Sequence, residues 1–586
     1  MGNKVLIYLA IFACLARAQM QLPSKVFDQL IAEVAFETVL LLSENSTDCS
    51  IDVKYNAVTP VIYLNANQKY QLQTHFNRQF LSLVCLKTES DLILNALYQN
   101  LESMRYTRTI FMITNEVDME SLFRKCFENK MLNVLAIGNW SLEEIYSYRA
   151  FPEFKLVMRK VDQIERYFEP QLKDMGGYPI STVSDNIFPR SVIYKDGNGS
   201  YQLTGYLAPF VESFVKTLNA TLHVYWDHAP EENEIVNINL LNDLIRAGKV
   251  DIPMFITNLG FTPSHRNHSH IVELSKWQIM LPVESQISRA LLVVGGGTKL
   301  LNLCIFILMS IYALIIHNIR RFELGMAPSL MCLWVIFDPV LRAMLSQTFS
   351  MPRSSSLRLR WTLAVLLLGS FVFYNIYITN LETLLVHPPF DPPILSYQDM
   401  RRAGLKLMIS EPDKGALTFV LGQRGYNANS DLYEMVSTSV YQTSRSQPNT
   451  SYAYPITQTL WPHIKMKFIR QEQAAFRLSK ELVLIPLVHF ALRLPSNSIY
   501  KGAINRYILN TQNSGLYTYW RTQSFYDLLA IGKTKQLPYK DTSSSMHLRW
   551  EDLYYYWLIY IVSVNICVLA FVGEVLVYSI GRWRAG

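Results

Sequence analysis

Three apolar tracts constrain this chain more than anything else in it. They run over "LLNLCIFILMSIYALII" at 300–316, over 361–385 and over 553–580. Stretches of this length match the hydrocarbon core of a bilayer. Arg320 and Arg321 follow the first tract, and Arg353, Arg358 and Arg360 precede the second. The third opens on Tyr554, Tyr555, Tyr556 and Trp557 and closes on Arg582 and Arg584. Arginine gathers on the cytoplasmic side and aromatic residues at the interfaces. The expectation is three passes over 299–318, 361–385 and 553–580, running out-to-in, in-to-out and out-to-in. Residues 581–586 then form a cytoplasmic tail.

The polar remainder agrees with that topology. Residues 1–18 read as a secretory signal peptide: Lys4, an apolar run over 5–15, and Ala16-Arg17-Ala18 before the cut. Glycosylation sequons stand at Asn45, Asn139, Asn198, Asn219, Asn267 and Asn449. Their positions place 19–298 and the region around 449 outside the cell. The net charge of +7 is spread too thinly over 586 residues to argue for nucleic acid. Of seven cysteines, Cys14 lies in the signal segment and Cys304, Cys332 and Cys567 in apolar tracts. Cys49, Cys85 and Cys126 are left outside, and an odd number implies one disulfide with one thiol over. The spacing does not choose the pair.

Between the first two passes, 319–360 contains "LWVIFDPVLRAMLSQTF" at 333–349. It is apolar enough to enter a membrane, yet it carries Asp338, Pro339 and Arg342. A full crossing would put 386–552 inside, against the arginines and Asn449. Two readings remain. In one, 327–350 is a re-entrant loop whose Asp338, Ser346, Gln347 and Thr348 face a water-filled cavity. In the other, the segment is amphipathic and lies on the inner leaflet.

The two exterior segments, 187–298 and 386–552, both alternate strand and helix signals. Phe210, Val211, Phe214, Val215 and Leu218 recur at helical spacing, and "TLHVYW" at 221–226 reads as a strand. "NLLNDLIRAG" is a helix stopped by Gly248, and "VDIPMFI" at 250–256 a buried strand. Further on, 404–410 and 482–492 read as strands, and 503–516 as a helix ending at Gly515. The fold expected is an α/β clamshell of two lobes, interrupted by a helical channel domain. The region 19–186 carries no placeable motif.

Several stretches resemble the ionotropic glutamate receptor superfamily, and most closely its divergent chemosensory branch, the insect ionotropic receptors. "GYLAPFVESFVKTLNATLHV" is similar to the opening helix of the first lobe, and "LLNDLIRAGKVDI…VELSKW" to the family's "GELxxGxADI…DFSxP". "FYNIYITNLETLL" at 373–385 resembles the gate sequence "SYTANLAAFL", with Tyr377, Asn380 and Leu381 in register and the gate residue Thr379, after Ile378, departing from the usual Thr-Ala. "NRYILNTQNSGLYTYW" is similar to the last helix of the second lobe.

This resemblance implies a subunit of a ligand-gated, cation-permeable channel in the plasma membrane of sensory neuron dendrites. Its ligand is then a small tastant or odorant, its partners other receptor or co-receptor subunits in a hetero-tetramer, and Gln347 stands near the selectivity position. It also implies a ligand site around Asn258, Arg266, Lys414, Gly415 and Ala416. Departures accompany it. Pro263 or His268, depending on register, occupies the place of the family's carboxylate-binding Arg, with Arg266 between them. Arg266 is either a displaced anion fork or a surface arginine beside the Asn267 sequon. The hydroxyl-bearing "SGST" turn is replaced by Lys414-Gly415-Ala416-Leu417, which disfavours glutamate. A conventional glutamate-gated channel and a non-conducting tethered receptor are the alternatives. His265, His268 and His270 lack an acidic or thiol neighbour, so no metal is expected. No nucleophile, cofactor or phosphate-loop motif suggests an enzyme.

Overall fold

The computed structural model describes residues 20–585 except 22–23, 35, 45–48, 51–58, 75, 77–78, 88–90, 228, 231–233, 262–264, 288–298, 325–337, 350–355, 388, 448, 472–473 and 539–549. The expected signal peptide, the Asn45 sequon, Pro263 and the first part of the 327–350 loop lie outside the described residues. The chain divides into two compact units. One holds 1–281, 400–469 and 475–537, and the other 282–399, 470–474 and 538–586.

The first unit begins with a seven-stranded sheet. Its spatial order is Val61–Asn65, Thr38–Ser43, Phe80–Leu86, Arg108–Ile113, Val134–Gly138, Ser141–Arg149, Lys155–Lys160. The first five strands are parallel, in the doubly wound order 2-1-3-4-5, and the last two run antiparallel. Thr38–Ser43, Phe80–Leu86 and Val134–Gly138 are buried along their whole length, the mark of parallel strands covered on both faces. The region that offered no motif is thus an α/β domain.

A second sheet of six strands follows, in the order Ile256–Asn258, Phe476–Arg493, His268–Pro282, Tyr452–Thr457, Lys406–Ser410, Tyr433–Val436. Two of these strands precede the apolar helices in sequence and four follow them. A separate parallel pair, Pro179–Thr182 with Thr221–Val224, packs beside helix Leu207–Thr217. That pair begins upstream of the boundary expected at 187. Two sequence readings need correction. Val250 and residues 252–255 are buried, with Asp251 half-buried, but 250–255 form no strand; Pro253 interrupts the ladder, Met254 makes a lone bridge to Ser184, and the strand starts at Ile256. Gly515 ends one helix, Lys501–Asn513, and at φ +73° it also opens the next, Leu516–Ala530.

The second unit is helical. Leu357–Leu384 and Tyr554–Ile580 are long and apolar enough to cross a membrane. The first tract lies in helix Lys299–Leu324, where the apolar run is the shorter Phe306–Ile319.

Candidate functional site

The sequence-predicted ligand residues lie in the first unit, where helix Glu411–Ala428 carries Lys414, Gly415 and Ala416 in its opening turns. A helix N-terminus attracts anions. This one already holds its own: the Asp413 carboxylate accepts from the Ser410 backbone N–H at 3.1 Å and from Ser410 Oγ at 2.6 Å. Glu411 adds a second acidic group to the same turn. Burial raises the Asp413 pKa, and the Ser410 bonds oppose that rise. Asn258 turns its Oδ1 onto the Gly260 N–H at 2.9 Å. Arg266 donates to Gln71 Oε1 of the N-terminal domain at 3.3 Å, and its carbonyl accepts from Lys501 Nζ. Arg266 and the 414–416 turn therefore have quite different surroundings.

The structure also assembles a polar cluster that spacing alone did not reveal. Tyr206, Glu273 and Tyr517 are all buried, and Tyr517 donates its hydroxyl to Glu273 Oε1 at 2.5 Å. The Tyr206 and Tyr517 rings meet edge to face at 5.9 Å. Arg190 lays its guanidinium 4.6 Å over the Phe490 ring, and its charge bears on Tyr206 and Glu273. Burial, and then the Glu273 charge, hold both tyrosine hydroxyls far above their usual range. His463, on helix Trp461–Lys467, faces Tyr206 at 6.4 Å and bonds Ser524 through Nε2 at 2.8 Å. Arg190, Tyr206, Glu273, Tyr517 and His463 thus tie both sequence halves of the unit together. Glu273, a carboxylate set between Val272 and Leu274 in the strand "HIVELSKW", was the signal available in the sequence.

In the helical unit, 338–344 is a short helix. Arg342 Nε bonds both carboxylate oxygens of Asp338 at 2.9 Å. Val340 and Ala343 pack into a cluster with Met309, Ala313, Ile316, Leu359, Leu363 and Leu366, which fastens the segment to both neighbouring helices. The helix stops where Ser346 takes φ +54° and the Gln347 N–H returns to the Arg342 carbonyl at 2.7 Å. Ser346, Gln347 and Thr348 are exposed beyond that turn. On helix Leu357–Val386, the expected gate residues divide: Tyr377 and Leu381 are half-buried, Thr379 and Asn380 exposed. The chain entering this unit and the chain leaving its second helix pair side by side. Gln286 bridges Phe390, Ser285 Oγ donates to Asp391, and the Ile287 N–H donates to the Pro389 carbonyl at 2.9 Å.

Cys85 is disulfide-bonded, while Cys126 is free and buried, its thiol pushed up to about 12 by burial. The Cys49 side chain lies outside the described residues. Asn139, Asn198, Asn219 and Asn449 are exposed, and Asn267 is half-buried with Nδ2 on Ser496 Oγ at 3.1 Å. His268 is buried, whereas His265 and His270 are exposed. Among the described residues no group of three or more His, Cys, Asp or Glu side chains is placed to hold a metal. No known family model and no curated protein matches the chain.

Proposed function

We propose that the chain is a subunit of a ligand-gated, cation-permeable channel of the chemosensory type. The observation that carries this reading is the interleaving of the six-stranded sheet. Strands from before residue 282 and after residue 400 share it, so the apolar helices are an insertion within one α/β fold. A ligand that closes such a clamshell pulls on both ends of the insertion. The pairing of 285–287 with 389–391 supports a joint pull, because a bridge and hydrogen bonds link the two connections. Three passes and the re-entrant 327–350 loop complete the reading, with Gln347 and Thr348 offering polar groups to a cation. The ligand is a small molecule other than glutamate: the first turn of the helix at 411 already carries Glu411 and Asp413, and a ligand carboxylate there meets like charge.

The test needs no ligand. A tag after Gly586 is expected to be cytoplasmic and Asn449 to carry glycan. A C-terminal tag reached by antibody on intact cells removes the three-pass topology. Gln347→Arg is then expected to cut cation current with surface expression intact, since a fixed cation in a narrow constriction repels the permeant ion by several kcal/mol, even at an effective dielectric of about 20. Unchanged permeation across Leu345–Thr348 variants would favour the non-conducting receptor.

A further inference from the structure

A cavity of about 200 Å³ opens inside the first unit, where the N-terminal sheet domain meets the region that follows it. Arg105 and Lys130 line it from one side, Arg266 and Lys501 from the other. No carboxylate appears among its described lining residues, and much of the remaining wall is apolar, from Leu132 to Ile499. The junction around it is well tied. The Ser103 N–H donates to Asn497 Oδ1 at 2.6 Å, Asn497 Nδ2 to Glu102 Oε1 at 3.0 Å, and Lys130 Nζ to the Ser496 carbonyl at 3.2 Å. Arg105 is fixed by the Tyr98 and Asn129 carbonyls and by Glu102. Lys130 sits at φ +63°, a conformation that persists in a non-glycine residue only where its surroundings hold it.

Four cations against the carboxylates of Glu102 and Asp251 leave this junction with an excess of positive charge. Burial lowers the pKa of the Lys130 ammonium, Asp251 raises it, and Arg105 lowers it again. An anion in the cavity relieves that strain. The apolar wall does nothing for a bare inorganic ion, and the volume is small beside ligand pockets of roughly 300–1,000 Å³.

We infer that this cavity binds a small organic anion, a carboxylate on a short apolar body, which clasps the N-terminal domain to the region beyond it. The carboxylate meets Lys130, Lys501 and the guanidinium groups, and the apolar body lies against Leu132 and Ile499. The cavity shares Arg266 with the ligand site that the channel reading implies but is lined by neither Asn258 nor Lys414, Gly415 and Ala416, and its test does not depend on conduction.

The experiment follows thermal unfolding of the full-length chain in detergent while sodium hexanoate is titrated. A ligand selective for the folded state raises Tm with its concentration. Hexanoate is expected to raise it saturably, and hexan-1-ol, hexylamine and inorganic phosphate to leave it in place. Lys130→Gln and Lys501→Gln are each expected to raise the half-maximal hexanoate concentration about tenfold, the scale of one charged hydrogen bond. Lys130→Arg should retain binding. If Lys130→Gln does not fold, Lys501→Gln carries the comparison. No hexanoate effect, or the same effect in the glutamine variants, overturns the site. Equal stabilisation by phosphate or by hexanol overturns the assignment to an organic anion.

Discussion

The two units solve opposite problems. The α/β unit hides its large side chains: Phe111, Phe123, Phe210, Phe214, Phe255 and Phe525 are fully enclosed by their own chain. Helix Tyr554–Ala585 hides almost nothing, and along it Ile566, Leu569, Phe571 and Val577 are all exposed. The same hydrophobic effect that closes the first unit would aggregate the second in water. What differs is the solvent each surface was built for, and so the same kind of substitution must read differently in the two places. Phe210→Ala removes a fully buried ring, and a cost of about 3–5 kcal/mol is expected. Leu569→Ala trims a side chain that touches little, with an effect within about 0.5 kcal/mol. Thermal unfolding of the two variants in one detergent measures the contrast. Equal losses would mean that the last helix packs within its own chain after all.

The comparison sharpens with pH, because buried ionisable groups are a property of the first unit. His463 is enclosed and its pKa is lowered to about 4, first by burial and then by the charges of Arg521 and Lys467. The unfolded chain takes up that proton near pH 6.5. The stabilisation is therefore complete above about pH 6.5 and is lost as pH falls toward 4, by about 3 kcal/mol in total. Lys467, lowered to about 8 by burial, has already had its effect at higher pH. Asp185, raised to about 6 by burial, acts in the opposite sense over part of the window. The informative quantity is thus the difference between His463→Gln and the parent. The variant's Tm should fall less between pH 6.5 and 4. Parallel profiles would show that the imidazole is hydrated.

How much of this was readable in advance follows the range of the interactions. Helix Leu207–Thr217 and strand Lys406–Ser410 are written in local periodicity, and both form where the spacing puts them. The apolar tracts are equally local. The shared sheet is not: Ile256 pairs with Leu492 across more than two hundred residues, and no window of sequence records that. The candidate site shows the same limit. Arg266 sits three residues after Pro263 and two before His268, the two places the resemblance offers for an anion-binding Arg, yet it bonds Gln71, from a domain the motif does not mention. The Glu273–Tyr517 bond joins strands of sequence that look unremarkable apart. Val250, Ile252, Met254 and Phe255 were legible as buried but their segment not as irregular, because burial follows composition and Pro253 interrupts the strand pairing.

The smallest expected effect addresses the segment that belongs to neither pattern. Asp338 and Arg342 form an i,i+4 pair on a helix whose other face, Val340 and Ala343, is buried against apolar neighbours. The two side chains are about half exposed, at 56% and 48%. If that exposure is to water, as on the wall of an aqueous pore, the pair contributes about 0–1 kcal/mol. Asp338→Asn then leaves Arg342 solvated, and surface expression should stay within about twofold of the parent. If the exposed side instead faced lipid, removing the carboxylate would strand a cation at membrane depth, at about 2.5–3.5 kcal/mol on insertion scales. Expression would then collapse, and Arg342→Leu in the same chain would restore it. Surface labelling of Asp338→Asn and of the double variant separates the outcomes. A collapse rescued by Arg342→Leu would rule out a water-lined position for this helix, and with it the pore-lining role given to Gln347 and Thr348.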